Sequence, residues 1–399
     1  MSQITPLLHS YNSFITKEIN DRYFKHADLL ELLESLRSNL QFEIREVGQS
    51  FQSRSIKLIT YGEGPVKIFL WSQMHGNEAT ATMALLDLLS FLGDENQDEV
   101  RNIILHNCTL YILPMLNPDG AEVFNRRNAQ EIDINRDFIA QQSPEGKLLR
   151  ALRDELKPHF GFNLHDQTTM WSAGDTGNPA TISLLAPAYD QALSVNTTRQ
   201  VAMQVIAEMN DTLQIIIPGH VGRFDDEYEP RAFGDNFQAA GTSTILIEAG
   251  GYADDPEKQH IRKLVFISII AGLISISERT FSNKKVEDYF LIPENKLRHF
   301  QILLRNCRLE MNGLCYTADI GLIAKETINE DLKSVTYTYM VGDVGDLSAF
   351  FGYKELDCES FKLIQTQKLR FEEAADLVLM DGIEVLLGIE NGIVTNYSI

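Results

Sequence analysis

Cysteine is scarce in this chain of 399 residues. Cys108, Cys307, Cys315 and Cys358 are its only four, and none lies in a C-x-x-C pair. That spacing excludes a disulfide scaffold or a cysteine zinc site as an organising principle, and a reducing, cytoplasmic setting fits. Positive charge is also in short supply: 35 basic residues face 56 acidic ones, a formal net charge of −21. Nucleic acid and anionic lipid would be repelled over most of such a surface, so neither is expected as a partner. A few local arginines could still reverse the field inside a cleft and receive an anionic substrate. The start, Met1-Ser2-Gln3-Ile4-Thr5-Pro6, lacks the basic residues and unbroken apolar core of a signal peptide. The longest apolar run, residues 264–276, is interrupted by Ser268, Gly272 and Ser275 and is too short to span a bilayer. Internal repeats and low-complexity segments are absent. A soluble intracellular protein is expected, and the sequence leaves its oligomeric state open.

With 44% hydrophobic residues the chain can fill a large core, and its length suits two domains. Residues 1–43 read as helical, with leucines at helical spacing among charged neighbours. Alternating residues 53–61 and the run 66–71 read as a hairpin followed by a buried strand. A helix from Glu78, a polar loop at 93–98 and a strand at 109–114 follow. Residues 161–165 form a short strand ending on His165, 201–213 a helix, 244–248 a β-branched strand ending on Glu248, and 261–278 a long apolar helix. Alternating strands and helices predict an α/β fold: a mixed, mostly parallel sheet flanked by helices. Past residues 282–287 the helical periods fade. Short β-type runs at 300–304, 315–324, 334–341, 361–366, 375–380 and 383–388 predict a small β-rich C-terminal domain. The expected division is 1–285 and 286–399.

Chemistry concentrates around Phe69-Leu70-Trp71-Ser72-Gln73-Met74-His75-Gly76-Asn77-Glu78. An apolar strand should end here, presenting His75 and Glu78 at the carboxyl edge of a sheet, where open α/β folds place their sites. His and Glu two residues apart can turn a nitrogen and a carboxylate toward one point, which suits Zn²⁺. Taken alone, the pattern is equally a polar turn capping a helix. Two further strands end on His165 and Glu248. A core histidine and a solvated strand-end acid are the plain alternatives, but the recurrence at one edge favours a shared site.

In chain order, His75-Gly-Asn-Glu78, Asn117-Pro-Asp-Gly120, Arg126-Arg127-Asn128, Asp133-Ile-Asn135-Arg136, His165 and Glu248 resemble the zinc metallocarboxypeptidases of the M14, carboxypeptidase A-like family. The lead-in Gly48-Gln49-Ser50-Phe51-Gln52-Ser53-Arg54-Ser55-Ile56 resembles that family's opening strand, and the likeness covers residues 45–280. The resemblance implies a zinc peptidase fold with Zn²⁺ held by His75, Glu78 and His165, two histidines and a carboxylate with a fourth position for water. It implies Glu248 as general base and acid and Arg126 as the cation that stabilises the oxyanion, with the neighbouring Arg127 as the alternative. Arg136 and Asn135 would anchor a substrate carboxylate, the planar fork of arginine suiting two-point recognition. Asp133 would fix the tautomer of the first zinc histidine. Tyr228 could supply the mobile hydroxyl often found near the substrate in this family.

Other features read plainly. Met170 and Trp171 line either a pocket or a core, His159, His220 and His260 have no evident partners, and residues 225–227 form a solvated acidic loop. Residues 174–179 could shape access. By the resemblance, the specificity pocket lies at residues 238–242, where Ala239, Ala240 and Gly241 are small and neutral. Residues 374–381 with 388–392 faintly resemble the small β domain of amidohydrolases. Three functions follow: a carboxypeptidase acting on peptides, a zinc deacylase or amidase acting on a small acylated amino acid or cell-wall peptide, or a binding module with a vestigial site.

Overall fold

The computed structural model describes residues 4–94, 98–331, 334–365 and 367–398. It divides into two units, Met1–Thr168 with Ala180–Asn295, and Thr169–Pro179 with Lys296–Ile399. The division at Asn295 falls ten residues beyond the expected 285/286, because the helical tail at residues 286–290 still packs with the first unit and buries Tyr289 there.

Along the chain the strands are β1 Phe42–Gln49, β2 Ser55–Tyr61, β3 Val66–Trp71, β4 Cys108–Leu113, β5 Phe160–Asp166, β6 Trp171–Ala173, β7 Ile182–Leu185, β8 Val221–Arg223 and β9 Ser243–Ala249. All but β6 form one eight-stranded sheet in the order β1-β2-β4-β3-β5-β9-β7-β8. Its centre, β4-β3-β5-β9, is parallel, and antiparallel pairs flank it. The mixed sheet covered by helices is the predicted architecture. All seven residues of β9 are buried, as expected of a parallel strand covered on both faces.

The helices are α1 Ile4–Ser10, α2 His26–Ser35, α3 Thr80–Leu92, α4 Glu99–Asn107, α5 Pro118–Glu122, α6 Pro144–Leu156, α7 Thr197–Ile216, α8 Phe233–Ala239 and α9 Gln259–Glu278. On one face of the sheet α3, α7 and α9 join Leu70, Phe162 and Ile247 in the main core, while α6 and α8 cover Phe69 and Trp71 on the other. Helix α4 was not anticipated; charged residues break its apolar period, and the expected loop before it lies partly outside the described residues. Helix α9 is apolar and long enough to cross a bilayer, yet 83% of its apolar window is buried inside the protein. Between α3 and α9, the fully buried Asp87 and Arg262 pair with each other. Asp87 accepts from Tyr11 Oη at 2.5 Å and the Thr16 amide at 2.8 Å, and Arg262 donates to the Ile19 carbonyl at 2.6 Å. That network bolts the N-terminal segment to the core; a buried charge left without such partners would be strongly unfavourable.

The second unit is β-rich, as predicted. Two four-stranded sheets, residues 299–357 and 362–397, share a core of Leu304, Ile320, Leu322, Leu377 and Leu387. The expected run 361–366 is a strand over Lys362–Gln365, with residue 366 outside the described residues. The segment 169–179 belongs to this unit: Tyr353 Oη donates to the Thr169 carbonyl at 2.7 Å, Gln301 Nε2 to Thr169 Oγ1 at 2.7 Å, and the His299 amide to the Met170 carbonyl at 3.1 Å.

Candidate active site

Three adjacent parallel strands, β3, β5 and β9, end at one edge of the sheet. His165 and Glu248 are the penultimate residues of β5 and β9 and are register partners. Register partners point to the same face, so the two side chains emerge side by side. His75 does not end its strand as expected; β3 stops at Trp71, and residues 72–79 carry the chain over the edge before α3 begins. A tight turn there, closed by the Glu78 amide on the His75 carbonyl at 3.1 Å, brings Glu78 back beside His75. Gly76 allows it: a Cβ at this position would lie 2.1 Å from the backbone carbon of Gly120. The His-Gly-Asn-Glu and Asn-Pro-Asp-Gly turns are thus packed backbone to backbone, which explains a glycine between the histidine and the glutamate.

Donor atoms of His75, Glu78 and His165 lie within 4.8 Å of one another, and all three residues are buried. Nδ1 of His75 is 2.8 Å from Glu78 Oε1, and Nδ1 of His165 is 2.8 Å from Oε2. Asp133 Oδ1 meets His75 Nε2 at 3.1 Å. Burial works against the charge of Glu78, but the charge on His75 and hydrogen bonds from both histidines outweigh it and hold the carboxyl well below its usual range. For Asp133 too, burial is outweighed by His75 and Arg126, and its pKa is depressed. Burial dominates at Glu248, with the charges of Glu78 and Asp166 adding to it, and pushes its carboxyl well above the usual range.

The donor set fits a divalent metal on two grounds. Nδ1 of each histidine converges on the one Glu78 carboxylate, and two imidazole nitrogens with a carboxylate oxygen are a ligand set of Zn²⁺. The carboxylates of Glu78, Asp133, Asp166 and Glu248, all at least nine-tenths or nearly so withdrawn from solvent, face the cations Arg126 and Lys258, and a dication would balance that excess of negative charge.

Arg126 occupies the centre of the polar network. Its Nε donates to Asp133 Oδ2 at 3.1 Å, its Nη2 is ion-paired with the same oxygen at 3.0 Å, and its Nη1 donates to Glu78 Oε1 at 3.1 Å. Arg127 turns away onto the Glu131 carbonyl. Geometry therefore separates two arginines that the sequence left as alternatives. Asn135 and Arg136 sit on the 3₁₀ turn Ile134–Arg136 that Asp133 caps through the Asn135 amide. The Asn135 side chain accepts from the Phe233 amide at 3.0 Å, docking the start of α8. Arg136 is already paired: its Nε forms an ion pair with Glu229 Oε2, 3.1 Å apart. Tyr228 is half-buried beside Glu229 on the loop before α8.

Residues 28–191, which include every proposed metal donor, match the family described as zinc carboxypeptidase. Carboxypeptidase SOL1 of Arabidopsis thaliana is 28% identical over 149 residues, 35% of this chain and 30% of that protein. The human carboxypeptidase N catalytic chain is 26% identical over 140 residues, 29% and 31% of the two chains. The chain spans about a third of the length of the curated relatives it matches. In fold it is similar to a metallo-carboxypeptidase from Burkholderia cenocepacia, with a TM-score of 0.53 at 18% identity over 65% of this chain and 70% of the other. Over residues 28–191 the chain thus matches the zinc carboxypeptidase family, and its fold is similar to that of a metallo-carboxypeptidase.

At this sheet edge the sequence reading missed three residues. Lys258 Nζ, though on a charged loop, is buried and donates to Asp166 Oδ2 and to the Ala249 carbonyl, each at 3.0 Å. Thr80 Oγ1 donates to the same Asp166 oxygen at 2.6 Å, and the Asp166 amide donates to Glu78 Oε2 at 3.2 Å. The acid directly after His165 was the one available signal. One expectation is also corrected. Residues 238–242 precede β9, so they lie at its amino end, on the order of 17 Å from Glu248 at the strand rise. There Ala240 accepts a hydrogen bond from Arg153, and the Thr242 hydroxyl bonds the Pro158 carbonyl. A pocket at the carboxyl edge cannot be lined by them.

Proposed function

We propose that this protein is a zinc-dependent carboxypeptidase that hydrolyses the C-terminal amide bond of a peptide. One observation carries the reading: Nδ1 of His75 and Nδ1 of His165 both face the Glu78 carboxylate, with Glu248 in register beside His165. His75, Glu78 and His165 would hold the Zn²⁺. When bound, Zn²⁺ supplies Lewis acidity, activating water near neutral pH and polarising the scissile carbonyl.

The protein's own groups do the rest. Asp133 accepts a hydrogen bond from His75 Nε2–H, holding the proton there and leaving the Nδ1 lone pair for the metal side. Glu248 has an oxygen free of protein partners, placed to take a proton from the attacking water and return it to the leaving amine. Arg126, clamped by Asp133, is a preorganised cation beside the donors, suited to the oxyanion of the tetrahedral intermediate. Asn135 and Arg136 receive the terminal carboxylate of the substrate, the arginine through its fork.

The test is release of free C-terminal amino acids from a mixed peptide library by the zinc-loaded protein, with metal analysis giving about one zinc per chain. Glu248→Gln should lower turnover by about 10²–10⁴-fold without loss of zinc. Release that survives this substitution would overturn the mechanism. Activity confined to acylated amino acids or muropeptides would make the enzyme a deacylase or amidase instead.

A further inference from the structure

The residue that would bind the substrate carboxylate is already holding one. Glu229 lies between two arginines. Arg231 donates to it from its backbone amide and Nε, both to Oε1 at 3.0 and 2.9 Å, and from Nη2 to Oε2 at 2.7 Å. Arg136 Nε reaches Oε2 at 3.1 Å. Asp235 secures the segment by accepting the Glu229 amide at 3.0 Å. Arg136 Nη1 is engaged too, on the Asn135 carbonyl at 2.9 Å. An arginine can grip a carboxylate at two points along either of two edges, Nε with Nη2 or Nη1 with Nη2. Each edge of Arg136 has one nitrogen committed, and the Nε edge opens only if Glu229 lets go.

Glu229 and a peptide C-terminus offer the same chemical group, and the arrangement on the two arginines shows what binding there looks like. The pair is also built to come apart. Arg136 and Arg231 are 39% and 54% exposed, so the contacts are solvent-screened and individually weak. When Arg136 is taken, Glu229 keeps its two-point contact with Arg231 and is never left without a cation.

Resting on the reading of Arg136 as the carboxylate anchor, we infer that Glu229 is an internal competitor that sets the affinity of this anchor for a substrate carboxylate. It occupies the Arg136 fork until a substrate carboxylate displaces it onto Arg231. A ligand ending in a neutral amide makes no ion pair with Arg136, so Glu229 competes only with free C-termini and holds their affinity down. Arg231 is its parking partner, and the two residues act with opposite sign.

The probes are N-acetyl-phenylalanine and its amide, titrated calorimetrically into zinc-loaded protein. Glu229→Gln should tighten the acid by about 2–5-fold, the worth of a half-exposed ion pair, and leave the amide unmoved. Arg231→Ala, which keeps the backbone amide on Glu229 but leaves Arg136 as its only cation, should weaken the acid by a similar factor. Weaker or unchanged binding by Glu229→Gln, or no detectable binding even in that variant, would overturn the competitor role. Arg136→Ala separates the two readings. If it binds the acid as the unsubstituted protein does, the anchor reading fails. If it weakens the acid while Glu229→Gln does nothing, only the competitor fails.

Discussion

Replacing Lys258 by Met tests whether the buried pair behind the proposed metal donors sustains the site. The side chains of Lys258 and Asp166 are 8% and 7% exposed, and their charged atoms are 3.0 Å apart. At an effective dielectric of 20 their attraction is about 5 kcal/mol. Removing the lysine also removes its own desolvation cost, which offsets part of that attraction, and Thr80 stays on Asp166 Oδ2 so that the carboxylate keeps a partner. The net loss should be about 3–4 kcal/mol, within the range for orphaning one member of a buried pair. Because the Asp166 amide supports Glu78, zinc affinity should fall by about 10-fold as well. Chemical denaturation followed by fluorescence of the fully buried Trp71, in a Trp171→Phe background, reads the stability, and competition with a chelator reads the metal. The double variant Lys258→Met/Asp166→Asn should recover much of the loss. Additive single and double losses, or a Lys258→Met loss below about 1 kcal/mol, would refute the reasoning.

Burial raises the Asp235 carboxyl to about 6. Its folded pKa therefore exceeds the unfolded value, so its contribution to stability is full below about pH 4 and is lost as pH rises through about 6. Asp235→Asn, which can still accept the Glu229 amide, should raise stability by about 2 kcal/mol at pH 7.5 and leave it unchanged at pH 4; equal effects at both values would contradict the shift. Gly76→Ala would drive a Cβ into the Gly120 backbone, so the protein should lose zinc binding and melt several degrees lower, whereas an intact metal site would show that the two turns can separate.

The parts of the site that could be read in the sequence are those carried by strand ends. Period-2 and buried runs located β3, β5 and β9, and their shared direction put His75, His165 and Glu248 at one edge. What escaped depends on contacts that no local pattern encodes. Lys258 follows Asp254-Asp255-Pro256-Glu257 and looks solvated, yet the left-handed backbone at its own position starts α9 and turns the ammonium inward. The pairing of Arg136 with Glu229 joins residues far apart in sequence, and the choice of Arg126 over Arg127 rests on which guanidinium reaches Asp133. Residues 238–242 were misplaced through ignoring strand direction: they are near Glu248 in sequence but at the opposite end of β9.

The excursion at residues 169–179 has a consequence for how the chain is made. Its partners at His299, Gln301 and Tyr353 are synthesised on the order of 120 residues or more later, roughly 6–24 s at 5–20 residues per second. Once β9 has been made and the sheet can close, about 50 residues or roughly 2.5–10 s of that interval remain, in which the stretch holds only internal bonds such as the Ala173 amide on the Asn178 carbonyl at 3.0 Å. The same holds for a gene cut after Asn295, which would keep Thr169 and Met170 but delete the residues that answer them. Such a product would carry a stray edge open to pairing with other copies. A clean version of the first unit therefore needs Thr168 and Ala180 joined by a new short turn.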